Sequence, residues 1–287
     1  NIKACKDFQD FAEANEIPVC VTFRCQDRFD NMHTNYCGDL GVGQNPKLQT
    51  RVKDADLLLV IGTRLGEMST GGYTLINIPK PKQTMIHVHQ GPEELGWVYQ
   101  PDLAINSGMK NFASALKEMP QIKATWKSWT KSARDDYLAW SIPPPITGDV
   151  QMGKIMTWLN ENLDADTIVC NGAGNFSSWA NRFYRYRGYG TLQGPTSGSM
   201  GFGLPAALAA KLVYPNRTVI SFSGDGDFLM TGQEFGTAMQ YGANIIVLIG
   251  NNSMYGTIRM HQERDYPGRV SGTELVNPNF SAYAEAF

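Results

Sequence analysis

Two apolar runs in the last third of the chain most constrain what it can fold into. Residues 217–228 read RTVISFSGDGDF, and residues 243–253 read ANIIVLIGNNS. Each has the pattern of a buried strand that stops in a polar turn. Between Gly224-Asp225-Gly226 and Asn251-Asn252 lie 24 residues. That length accommodates a helix over 232–240 and lets the two strands run parallel. Both turns then sit at the carboxyl ends of neighbouring strands, where open α/β sheets bind their ligands. An Asp and an Asn at such ends offer hard oxygens to a magnesium ion, and flanking glycines let backbone approach a diphosphate. The Gly-Asp-Gly turn alone is a weak signal, since such turns are often structural. Its pairing with Asn251-Asn252 carries the reading.

The rest of the chain repeats the same alternation. A helix is expected over 3–14, followed by strands over 18–22, 54–62, 84–88 and 102–105 and a helix over 110–119. Residues 122–141 read as helical and run into IPPPITGD at 142–149. Three successive prolines cannot continue a helix, which places a boundary there. Alternation resumes with a helix over 151–162, a strand over 167–170 and a Gly-rich turn over 172–178. A helix over 177–183 and another over 201–212, with Pro205 near its start, complete the pattern. The fold class is therefore α/β: two three-layer, doubly wound parallel-sheet domains. The expected organisation is a Rossmann-like middle domain over 1–121, a helical linker over 122–149 and a diphosphate-binding domain over 150–287.

Charge and cysteine content exclude other classes. The net charge is −2, with no basic block, so neither nucleic acid nor an anionic membrane surface is an expected partner. The longest apolar runs, around 57–61 and 245–249, are far too short to span a bilayer. Five cysteines at 5, 20, 25, 37 and 170 form no Cys-x-x-Cys pair. They read as free thiols, and the opening NIKACKDF carries no secretory or transit pattern, so a cytoplasmic location is expected.

Four segments of the second half carry a family resemblance: SGSMGFGLPAALAA (197–210), GDGDFLMTGQEFGTAMQYG (224–242), NNSMYGTIR (251–259) and GTELVNPNFSAYAEAF (272–287). DADLLLVIGTRLGE (54–67) adds to them from the first half. The chain resembles the thiamine-diphosphate enzymes of the acetolactate synthase (acetohydroxyacid synthase) and benzaldehyde lyase group. The resemblance implies thiamine diphosphate and Mg2+ as cofactors. It implies Asp225, the Asn252 side chain and the Met254 carbonyl as metal ligands. Backbone N–H groups around Gly226, Asp227, Tyr255 and Gly256 would face the phosphates, beside Gly224. Gly174 and Asn175 would contribute from the preceding turn, where Phe176 replaces a polar residue of relatives. Met200 would wedge between the cofactor rings and bend it. The Gly198 carbonyl and the Met200 N–H would bond the aminopyrimidine. The bend brings the cofactor's own imino nitrogen near its thiazolium carbon, an effective-molarity gain.

The same resemblance implies features that the chain does not contain. The family glutamate that bonds the pyrimidine ring lies in an N-terminal domain for which no counterpart is found. The chain therefore reads as a fragment of the middle and diphosphate-binding domains, inactive alone. The expected activity is decarboxylation or carboligation of a 2-oxo acid or aldehyde, in a homodimer or homotetramer. Two departures fall near the reacting centre. His261 stands where acetolactate synthases carry a Trp, and Thr257 replaces a Met. His261 is the candidate proton-transfer residue, since imidazole titrates near neutrality. Arg259 and Arg264 either attract a substrate carboxylate or decorate a solvated helix. FAD is possible in the middle domain, because Arg64 matches an arginine that contacts flavin in relatives. Against it, the strand end HVHQGP (87–92) lacks the acidic residue that binds a ribose hydroxyl. A carbon–carbon lyase or hydrolase on the same cofactor, and a nucleotide-binding Rossmann module without turnover, remain the alternatives.

Overall fold

The computed structural model describes residues 2–287. The chain divides into two compact units. One comprises residues up to Pro143 together with Arg185–Tyr189, the other Pro144–Tyr184 with Gly190–Phe287.

The first unit begins with α1 (Ile2–Ala14), which buries Ala4, Phe11 and Ala12 along one face. Strands β1 (Val19–Thr22) and β2 (Tyr36–Leu40) form a parallel pair. Helix α2 (Pro46–Asp54) starts where the Asn45 side chain accepts the Lys47 N–H at 3.0 Å, with Pro46 in the first turn, where its missing N–H does no harm. Strands β3 (Leu57–Ile61), β4 (Thr84–His89) and β5 (Leu103–Asn106) make a parallel sheet in the order β3-β4-β5. Helix α3 (Met109–Lys117) packs on α1, and α4 (Lys127–Trp140) packs on β2 and α2. Leu40, Leu48, Val52, Val60, Met85 and Ala133 share one core. Sequence reading set 122–149 apart as a linker, but α4 is fastened into this unit. Its Asp136 accepts from Arg51 Nε at 3.1 Å and from Lys47 Nζ at 2.7 Å. The chain changes unit after Pro143, within the proline run. Residues 185–189 return to the first unit, where Asn31 and Tyr186 exchange two hydrogen bonds of 2.9 and 3.0 Å.

The second unit holds α5 (Met152–Asn162), β6 (Ile168–Asn171), α6 (Ser177–Phe183), β7 (Leu192–Gln193), α7 (Gly203–Val213) and β8 (Val219–Gly224). A short α8 (Asp225–Phe228) follows directly, then α9 (Phe235–Tyr241), β9 (Ile246–Gly250), α10 (Gly256–Asp265) and α11 (Phe280–Glu285). The four strands are all parallel, in the order β7-β6-β8-β9. Every residue of β8 is buried, as expected of a central strand covered on both faces. Ile168, Cys170, Ala207 and Val219 form the core between this sheet and α7. The register pairs Gly224 with Gly250. That pairing sets the turns after β8 and β9 side by side. Helix α7 begins two residues later than the expected 201, because Gly201 has φ of 79°, outside the helical region. Helix α9 ends at Gly242 in the left-handed conformation, a common helix stop. Among the described residues no helix is long and apolar enough to cross a membrane.

Candidate functional site

Three strand ends of the second unit open into one cleft. Its walls are Ala173–Phe176 after β6, Gly224–Asp227 after β8 and Gly250, Asn252 and Met254–Ile258 after β9, with Met200 facing in. Eleven of the thirteen residues singled out in the sequence meet here: Gly174, Asn175, Met200, Gly224, Asp225, Gly226, Asp227, Asn252, Met254, Tyr255 and Gly256. Gly198 and His261 fall outside this lining. Gly198 sits in a turn with φ of 72°, its N–H donated to the Pro195 carbonyl. His261 is on the exposed side of α10. Arg264 Nη2 donates to its Nδ1 at 2.9 Å, and since a guanidinium has no acceptor the ring must accept there. Arg264 also pairs with Asp265 and Arg259 with Glu263, at 2.7 and 3.0 Å. Both arginines thus have intrahelical partners.

The glycines have local reasons. A Cβ on Gly226 would lie 2.5 Å from the Tyr255 ring, and one on Gly224 would lie 2.8 Å from the Phe176 ring. Phe176 turns toward the core and meets Phe222 edge-on at 5.4 Å. It lines the cleft with carbon. Asn175 is held from the other side: its N–H donates to Thr257 Oγ1 at 3.0 Å.

The two acidic residues do different work. Asp225 is buried and begins α8, whose first N–H groups have no intrahelical acceptor. Asp227, also buried, points away into the sheet end. Its Oδ1 accepts from Ala173 N and Gly201 N, each at 3.0 Å. One carboxylate thereby ties the turn after β6 to the turn before α7. Burial raises the Asp227 carboxyl above its ordinary range, while the bonds from Gly201 and Ala173 act in the opposite direction.

Beyond β9, residues 253–255 pair with 273–275. Met254 bridges Glu274 antiparallel, Tyr255 N donates to Thr273 O at 2.8 Å and Leu275 N to Ser253 O at 2.9 Å. This pairing corrects one expectation. The Tyr255 N–H is spent on Thr273, and the Gly256 N–H on the Met254 carbonyl at 2.9 Å, so neither is free for a phosphate. Met254 O keeps its second lone pair. Asn252 Oδ1 accepts the Met254 N–H at 3.3 Å.

Sequence reading missed Asn277, whose Nδ2 donates to Asp225 Oδ2 at 2.7 Å. Its neighbour Asn279 has a local signal, as the cap of α11. Asn277 has none, because its partners lie on other strand ends.

The donor set of this cleft is a carboxylate, an amide oxygen and a main-chain carbonyl. All are hard oxygens, which suit Mg2+ better than a soft metal. Among the described residues no three His, Cys, Asp or Glu side chains cluster as an all-protein metal cage. A magnesium ion that takes its remaining ligands from phosphate and water fits such a partial set.

A parallel α/β sheet with oxygen donors and close-approach glycines at its strand ends is the arrangement in which such folds bind phosphorylated cofactors. Two family models match this chain. The central domain of thiamine pyrophosphate enzymes covers residues 1–116, and their C-terminal TPP binding domain covers 172–287. The chain belongs to the thiamine pyrophosphate enzymes. It is 29% identical over 283 residues to the acetolactate synthase large subunit of Lactococcus lactis, covering 98% of this chain and 49% of that protein. It is 28% identical over 282 residues to the acetolactate synthase isozyme 2 large subunit of Escherichia coli, covering 97% and 50%. It is 30% identical to an acetolactate synthase of Mycobacterium leprae, covering 99% and 47%. The chain thus spans about half the length of these relatives.

Proposed function

We propose that the chain binds thiamine diphosphate through Mg2+ in this cleft and serves the decarboxylation or carboligation of a 2-oxo acid or aldehyde. The observation that supports this is that Asp225, Asn252 and Met254 all line one glycine-rich cleft. Bound there, the cofactor supplies a nucleophilic carbon and an electron sink for substrate carbonyl chemistry. The chain's own part is placement. Asp225, Asn252 and Met254 O would hold the cation, and the N–H groups of the first turn of α8 would favour anionic oxygen. Met200, 37% exposed on the cleft wall, is available to support the ring end. Thr257 and Ile258 line the side on which a substrate would enter. His261 has no part in this reading, since its ring lies outside the lining and is engaged by Arg264.

Flavin is not included. Arg64 is drawn to Glu94 at 3.8 Å, and the end of β4 closes on itself, with Gly91 N donating to His89 Nδ1 at 3.0 Å. That strand end offers imidazole and amide where a ribose-binding carboxylate would be needed. Assembly into a homodimer or homotetramer in the cytoplasm belongs to the same reading. Exposed Leu212, Val213, Met239 and Tyr241 on α7 and α9 support self-association, and the unpaired state of all five cysteines suits a reducing compartment.

Calorimetry with Mg2+ and thiamine diphosphate tests the proposal. Saturable, Mg2+-dependent binding that Asp225→Ala abolishes is expected. Binding of NAD in place of thiamine diphosphate, or binding indifferent to Asp225→Ala, would sink it.

A further inference from the structure

A side-chain amide that sequence reading did not single out bridges the ends of β8 and β9. Asn277 Nδ2 donates to Asp225 Oδ2 at 2.7 Å and to Asn251 Oδ1 at 2.9 Å. Asp225 follows β8 and Asn251 follows β9, so one side chain joins both strand ends. The direction of this amide is dictated by its partners. An ionised carboxylate only accepts. Asn251 Oδ1 is fixed as an acceptor by the Ser253 N–H at 3.2 Å. Asn277 must therefore face both with its NH2 end. Its own Oδ1 is left buried and without a partner. Such orphans are rare in native folds, and each calls for a reason. Here the reason is that the donor end is needed at two acceptors at once.

The Asn251 end of this link matters as much as the Asp225 end. The bond from Ser253 N to Asn251 Oδ1 closes the turn that carries Asn252 and Met254. Ser253 holds φ of 55°, a left-handed conformation that a serine adopts only when its surroundings impose it.

We infer that Asn277 is a positioning residue for the divalent cation. It occupies one oxygen of Asp225, turns the other toward the cleft and fixes the 251–254 turn, so that Asn252 and Met254 O converge on the same ion. The inference rests on the cation-bridged diphosphate site proposed above. Carboxylates that ligate metals are themselves oriented by hydrogen bonds, and losing such a partner lowers metal affinity about 10- to 100-fold.

The test is Mn2+ binding in the presence of thiamine diphosphate, read from the electron paramagnetic resonance signal of free Mn2+. Asn277→Ala is expected to weaken Mn2+ by about 10-fold. Asn251 is exposed, so Asn251→Ala disturbs the fold least and is expected to weaken Mn2+ by a smaller factor. The double variant should fall short of the product of the two losses, because both singles break the same link. Melting temperatures without cation or cofactor are read alongside, and an unchanged value in Asn251→Ala separates positioning from general loosening. Unchanged Mn2+ affinity in both single variants, or full additivity in the double variant, overturns the inference. If the unaltered chain binds no Mn2+ with thiamine diphosphate, the proposed function falls, and this inference with it.

Discussion

Gly226→Ala isolates the packing beneath the cleft. Gly226 is not in the left-handed region, so an added methyl acts through space alone. That methyl would lie 2.5 Å from Tyr255 Cε1, 2.8 Å from Tyr255 Cδ1 and 3.2 Å from Leu275 Cδ1. Ordinary contact begins near 3.4 Å, so the ring must retreat by about an ångström. Overpacking of this size costs about 1–3 kcal/mol. Replacing a helical glycine by alanine returns up to about 1 kcal/mol. The net loss is up to about 2 kcal/mol, or a fall of up to roughly 8 °C in melting temperature for a unit of this size. Tyr255 cannot move alone, since its N–H is bonded to Thr273 and its neighbour Met254 bridges Glu274. The Met254 carbonyl is displaced with it, and thiamine diphosphate affinity should fall by about 10-fold, which is 1.4 kcal/mol. Gly250→Ala is the control in the same cleft. Its methyl would meet nothing closer than 3.8 Å, and a change within about 0.5 kcal/mol is expected. Calorimetric melting and isothermal titration measure both effects. If Gly226→Ala melts and binds like the unaltered chain, the Tyr255 contact does not shape the site.

Two further substitutions probe buried carboxylates. Gly172→Ala would set a methyl 2.0 Å from Asp227 Oδ2 and break the clasp on Ala173 and Gly201. A loss of about 3 kcal/mol is expected in urea unfolding, with partial recovery in the double variant Gly172→Ala/Asp227→Ser; no recovery would assign the loss elsewhere. Asp39, in β2, has its carboxyl raised by burial from 3.8 to about 7. A folded-state value above the unfolded one means that stability is full below about pH 4 and is lost as pH rises through 7. The span of about three pH units corresponds to about 4 kcal/mol. The side chain keeps some solvent contact, so about half that is expected. Asp39→Asn should match the unaltered chain near pH 4 and exceed it by about 2 kcal/mol at pH 8. Equal stability differences at both pH values would contradict this.

The strands that hold the cleft were legible because β8 and β9 are uninterrupted apolar runs with polar turns at their ends. Strand β2 was not. Gly38, at φ of 116°, sits where the β1–β2 register slips between Val19 and Val21, so the strand contains the residues of a turn. Helix α10 buries none of its residues, so only its solvated, charged face was legible and its bounds were not. At the site, residue types and spacing pointed to Asp225, Asn252 and the glycines, since these follow from what oxygen ligation and close approach require. The fate of the Tyr255 and Gly256 N–H groups was hidden, because it depends on residues 273–275 folding back as a short antiparallel partner. Asn277 was hidden for the same reason. The role of Asp227 was only half visible: it lies on the cleft, but its carboxylate faces the sheet.

That returning stretch has a thermodynamic corollary. Residues 273–277 meet their partners around 251–255 through main-chain bonds and one amide, an attachment whose local stability can differ from that of the whole unit. A ligand that requires the closed arrangement must, by mass action, hold it shut. Occupancy of the cleft and closure of the tail are thus two readings of a single equilibrium. Under the proposed function, loosening of residues 273–277 would register as weaker cofactor binding before it registered as a loss of fold.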